Sequence, residues 1–138
     1  MSNDVNQVAT SALAYLGDCV IELRVRNYLV AERGLSSAAS LNREALNFVR
    51  ASAQSEAMNY IEPLLDEDEL TAYRRGRNIG HTNVPKSASV SEYRRATGME
   101  ALFGYLHLQR KEERIDLLFR AGYRLDSNFD LPNSAEQE

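Results

Sequence analysis

Ser11-Ala12-Leu13-Ala14-Tyr15-Leu16-Gly17-Asp18-Cys19-Val20-Ile21-Glu22-Leu23-Arg24-Val25 is the stretch on which the fold turns. Leu13, Leu16, Val20 and Leu23 recur at spacings of three and four, the period of a helix with one face toward a core. Ala12, Ala14, Tyr15, Ile21, Val25 and Leu29 fall on the other faces. A helix from Val8 to about Glu32 should therefore lie centrally, covered on most sides. Gly34 is placed to end it.

Working outward, the serine-rich segment Ser36–Ser40 opens a second helix that should run unbroken to Ile61 and stop before Pro63. Leu41, Ala45, Phe48, Val49 and Met58 give it a partly apolar face. The acidic run Asp66-Glu67-Asp68-Glu69 sets carboxylates at the positive end of a third helix, which ends in Arg74-Arg75-Gly76-Arg77-Asn78. From Ile79 to Ala88, Gly80 and Pro85 interrupt a segment without periodicity, the mark of a loop. Ser89 and Glu92 form a capping box that starts a helix through Leu108, and a last helix runs from Glu112 to Tyr123. No alternating strand pattern occurs. The fold class is all-α, one domain over residues 1–125 with a polar tail, 126–138, expected to fray.

The composition suits a globular domain: 43% of 138 residues are hydrophobic and 26% charged. MSNDVNQVAT lacks the basic start and apolar core of a secretory leader. The apolar stretch Ser11–Val30 carries Asp18, Glu22, Arg24 and Arg26, which excludes a membrane span. Cys19 is the single cysteine, so neither an internal disulfide nor a cysteine-based zinc site can form. A cytoplasmic location follows as the expectation. Net charge is −4, which disfavours a polyanionic partner on average. Between Thr71 and Thr97, however, Arg74, Arg75, Arg77, Lys86, Arg94 and Arg95 face a single Glu92. Binding follows the local field, so this basic segment can serve a nucleic acid.

Two acids stand where acids are costly. Asp18 interrupts an apolar helix, and Glu22, one turn on, repeats its charge on the same face. A salt bridge from Arg26 at i+4 of Glu22 is the plain structural explanation. Glu100 sits in Ala96-Thr97-Gly98-Met99-Glu100-Ala101-Leu102-Phe103-Gly104 with small residues on its face, as Gly17 and Ala14 flank Asp18. Small residues let helices approach closely, so the two carboxylates could converge. Paired oxygen donors suit Mg²⁺, whereas His81 and His107 offer no zinc spacing. Cys19 reads as buried packing, His107 as an interior or interface histidine, and His81 as an exposed loop residue. Met99, Phe103 and Tyr105, with Tyr15 and Tyr93, read as core or subunit seam rather than a base-stacking platform.

Leu16-Gly17-Asp18 on a long helix, with Glu100-Ala101-Leu102-Phe103-Gly104 followed by Tyr105-Leu106-His107-Leu108, resembles the signature of the ribonuclease III family. Ala12–Asp18, Arg75-Gly76-Arg77-Asn78, Val84-Pro85-Lys86 and Tyr93–Gly98 resemble more specifically its short bacterial branch, Mini-ribonuclease III, which lacks a double-stranded-RNA-binding domain. The resemblance runs in order from about Val8 to Leu125. Ala14 and Thr97 stand where longer family members carry acids, which leaves two principal carboxylates and Glu22 as a supporting candidate.

The resemblance implies a ribonuclease III-type helical bundle forming a homodimer that cuts double-stranded RNA. It also implies maturation of the large-subunit (23S) ribosomal RNA precursor as the task. Asp18 and Glu100 would bind Mg²⁺ and carry catalysis, with Arg74, Arg75, Arg77, Lys86, Arg94 and Arg95 on the RNA. A catalytically silent RNA-binding module is the rival reading, and a helical interaction domain with merely salt-bridged acids is a third.

Overall fold

The computed structural model describes residues 4–79 and 89–126. After a 3-10 turn, Val5–Gln7, helix α1 spans Thr10–Asn27 and continues into one π-helical turn, Tyr28–Glu32. Gly34 then takes φ +70°, a conformation that glycine adopts without steric cost. Helix α2 (Ala38–Val49) starts at Ser37, whose hydroxyl accepts from the Ser40 amide at 3.1 Å. Helices α3 (Ala51–Ile61), α4 (Glu67–Arg77), α5 (Val90–Leu108) and α6 (Glu112–Tyr123) follow. Capping boxes open α4 and α5, at Asp66/Glu69 and Ser89/Glu92. Among the described residues there is no strand, and no helix is long and apolar enough to cross a membrane.

Helix α5 is the axis of the molecule. It packs against α1, α3, α4 and α6. From Gly98 to Leu106 every residue of it is buried except Glu100. Met99, Leu102, Phe103 and Leu106 meet Leu13, Ile21 and Val25 of α1, Met58 and Ile61 of α3, Tyr73 of α4, and Ile115 and Leu118 of α6 in one core. Fully burying such a side chain stabilises by about 1.5–3 kcal/mol, so this cluster drives the assembly.

The central position expected for α1 belongs to α5 instead. The buried face of α1 is Leu13, Ala14, Gly17, Val20, Ile21 and Val25. Leu23, expected in the core stripe, is 66% exposed, Tyr15 is 85% exposed, and Cys19 is exposed rather than buried. The physical reason is that α5 docks on the Gly17 side, where backbones can touch, and leaves the opposite apolar side uncovered.

The single helix expected from Ser36–Ser40 to Ile61 is in fact two. Arg50, at φ −63° and ψ 150°, ends α2 and caps α3. The bend lets α2 lie against α1 while α3 lies against α5 and α6, two surfaces that one straight rod could not reach together. No glycine or proline marks it.

A second device fixes α4 to α6. Glu69, 2% exposed, accepts from Arg114 at 2.7 and 2.8 Å and from the Asp66 amide at 2.9 Å. Burial pushes its carboxyl pKa up, but the Arg114 and Asp66 hydrogen bonds outweigh this and hold it below the usual value.

Candidate active site

Gly17 and Gly104 explain how two acids distant in sequence meet. A Cβ on Gly17 would stand 1.6 Å from the Glu100 carbonyl oxygen, and one on Gly104 would stand 2.1 Å from the Leu13 carbonyl oxygen. Only glycine lets α1 and α5 approach so closely. The contact sets Asp18, the residue after Gly17, beside Glu100, one turn before Gly104. The two carboxyl groups interact electrostatically across this contact.

Electrostatics make this pair unusual. Burial and, after it, the Asp18 charge push the Glu100 carboxyl up to about 8. Near neutrality Glu100 therefore keeps its proton. Neither acid makes an ion pair with a basic residue among the described residues, so the plain salt-bridge explanation fails for both. It holds for Glu22. Arg26 donates to Glu22 at 3.1 and 3.2 Å, and no group of three acids, histidines or cysteines able to hold a metal assembles among the described residues. The residues brought together are thus two carboxyl groups with hard oxygen donors, which fit Mg²⁺, an ion that takes one or two carboxylates and completes its shell with water and phosphate. It does not fit zinc.

Glu100 also borders a cavity of about 710 Å³ lined by Thr97, Tyr93, Arg50 and Gln54 among others. Sequence reasoning missed Arg50 and Gln54. Their only signal would have been the α2–α3 bend, which no residue type announces.

Gly76 positions the basic end of α4. A Cβ there would lie 2.9 Å from both Gly98 Cα and the Thr97 carbonyl oxygen, so Arg75 and Arg77 flank a contact one turn from Glu100. Arg74, Arg75 and Arg94 are exposed. The Arg77 guanidinium lies 5.7 Å from the Tyr73 ring centroid and, with Arg94 and Arg95, borders a second cavity of about 560 Å³. Arg95 turns inward, donating to Tyr73 at 3.4 Å, Ser55 at 3.1 Å and Asn59 at 3.0 Å. Lys86 and His81 lie outside the described residues. His107, expected inside or at an interface, is an exposed side chain 3.8 Å from Glu112.

Two packed helices of an all-α domain thus bring a pair of carboxyl groups together, and similarity to known proteins specifies the class of protein. Residues 11–111 match the family model described as the Ribonuclease III domain. A protein named Mini-ribonuclease 3 from Symbiobacterium thermophilum is 44% identical over 109 residues, covering 79% of this chain and 83% of that one. Another of that name, from Clostridium tetani, is 35% identical over 117 residues, covering 85% and 78%. The crystal structure of a Fusobacterium nucleatum protein superposes with a TM-score of 0.77 at 33% identity, over 86% of this chain and 94% of that one. The chain belongs to the ribonuclease III family, on its Mini-ribonuclease 3 branch, and is an endoribonuclease.

Proposed function

We propose that this enzyme hydrolyses phosphodiester bonds of double-stranded RNA with Mg²⁺ held by Asp18 and Glu100, as a homodimer, in maturing the large-subunit (23S) ribosomal RNA precursor. The observation that carries the metal site is the glycine contact that brings the two carboxyl groups together, with Glu100 pushed up to about 8. A half-buried acid held protonated beside a second carboxyl group is a site where a hard cation replaces the proton. Mg²⁺ bound there supplies charge that acidifies water and neutralises phosphate oxygens. Asp18, exposed, faces the side from which a phosphodiester arrives. Glu100, half-buried on the central helix, fixes the position of the pair. The products on this reading carry 5′-phosphate and 3′-hydroxyl ends.

Duplex binding is assigned to Arg74, Arg75, Arg77, Lys86 and Arg94, because A-form RNA is recognised through backbone and shape. Arg95 supports them from within the scaffold. The dimer seam is assigned to Tyr15, Cys19 and Leu23, an exposed stripe at four-residue spacing on α1 that runs beside Asp18. The ribosomal substrate rests on the kinship with Mini-ribonuclease 3.

Incubation with a blunt RNA duplex, with Mg²⁺ or with chelator, tests the reading. Wild type should cut only with metal, and Asp18→Asn should lower cleavage at least about a thousandfold while still binding the duplex. Binding without cleavage by the wild type would instead select the silent module.

A further inference from the structure

The corner between α2 and α3 lines the same cavity as Glu100. Helix α3 begins at Ala51 with no side-chain cap from Arg50. The amides of Ala51, Ser52 and Ala53 have no partner within the helix, and they lie at its positive end. Arg50 is exposed and makes no ion pair among the described residues.

Gln54 is the independent sign of a ligand. It is 2% exposed, and its carboxamide makes no hydrogen bond among the described residues. Gln109 Oε1, not Gln54, is the polar atom sealed away without a partner, so the Gln54 amide opens onto the cavity that it lines. With no partner among the described residues and its remaining accessibility on the cavity, the amide is left to bond whatever occupies that space. Arg50 and Glu100 are the charged residues of the cavity lining.

We propose that Arg50, the first amides of α3 and the Gln54 carboxamide form a subsite for a backbone phosphate of the strand being cut, next to the phosphodiester at Asp18 and Glu100. The subsite rests on the reading of the chain as a duplex-RNA nuclease. Arg50 supplies a charge, the α3 amides supply directed N–H donors, and the Gln54 NH₂ donates from the cavity wall. A cation is disfavoured by Arg50 and the helix end. A free phosphomonoester is a weaker fit, because the cavity continues to Glu100 and suits a chain passing through it.

Fluorescence anisotropy in chelator, over a series of salt concentrations, measures duplex binding by wild type, Arg50→Ala, Gln54→Leu and Gln54→Asn. Arg50→Ala should weaken binding by about tenfold and lower the salt slope by about one phosphate contact. Gln54→Leu should weaken it about threefold with the slope unchanged, because the lost donor is neutral. Gln54→Asn serves if the leucine variant does not fold, as circular dichroism will show. Duplexes carrying a single uncharged methylphosphonate at each phosphate around the mapped cut then localise the contact. At one position the modification should weaken wild type but not Arg50→Ala. Variants that bind like wild type, or a methylphosphonate penalty undiminished in Arg50→Ala, overturn the subsite alone. A wild type that binds no duplex overturns the nuclease reading and the subsite with it.

Discussion

At the scale of single residues, Glu100 ties function to proton balance. Its folded pKa of about 8 lies above the ordinary carboxyl value of 4.5. Between those limits the folded chain holds a proton that the unfolded chain has released. Metal-free protein therefore loses stability as pH rises from 4.5 toward 8, on the order of 1 kcal/mol per unit from this residue. Thermal melting should show this fall, Glu100→Gln should flatten it, and added Mg²⁺ should raise the midpoint more at pH 8 than at pH 6. A midpoint with the same pH dependence in wild type and Glu100→Gln refutes the assignment. Arg95 gives a second residue-level test. All its bonds go to neutral acceptors on α3 and α4, so Arg95→Met should cost about 2 kcal/mol of stability yet leave the salt slope of duplex binding unchanged. A reduced slope would return Arg95 to the RNA surface.

At the scale of elements, the α1–α5 contact decides whether the acids meet. Gly17→Ala and Gly104→Ala should each destabilise by about 3 kcal/mol or more, because the new methyl strikes backbone that cannot rotate away. Gly34→Ala meets open space and strains only φ, so it should cost about 1 kcal/mol. Urea unfolding of the three variants separates them; equal losses would sink the close-contact account. This contact was legible in sequence, since small residues beside both Asp18 and Glu100 announce helices that touch. The helix limits at Ser89–Leu108 and Glu112–Tyr123 were legible too, through a capping box and clear periodicity. The break at Arg50 was not. It contains no helix breaker and arises because α2 and α3 bury against different partners, a tertiary demand that local propensity does not encode. Arg50 and Gln54 were hidden for the same reason. The rank of α1 and α5 was also illegible: both are apolar on several faces, and only packing reveals which one is wrapped.

At the scale of the whole molecule, α1 leaves large apolar side chains uncovered, Tyr15 at 85%, Leu23 at 66% and, past its end, Val30 at 55%. Hydrophobic groups of this size aligned on one helix suit a self-complementary seam. Tyr15→Glu combined with Leu23→Glu should convert a dimer to a helical monomer in sedimentation experiments, with the far-ultraviolet spectrum intact. Wild type sedimenting as a monomer would remove the seam.

The glycine clamp carries a consequence for how the enzyme can fail. No loop or hinge has to move for Asp18 to find Glu100, because main chain resting on main chain sets their separation. Damage elsewhere that leaves the two rods in register leaves the proposed cutting centre whole, and a fluctuation that parts them erases it at once. Heat should thus extinguish cleavage in step with the slowest-exchanging amides of the interior, rather than ahead of them.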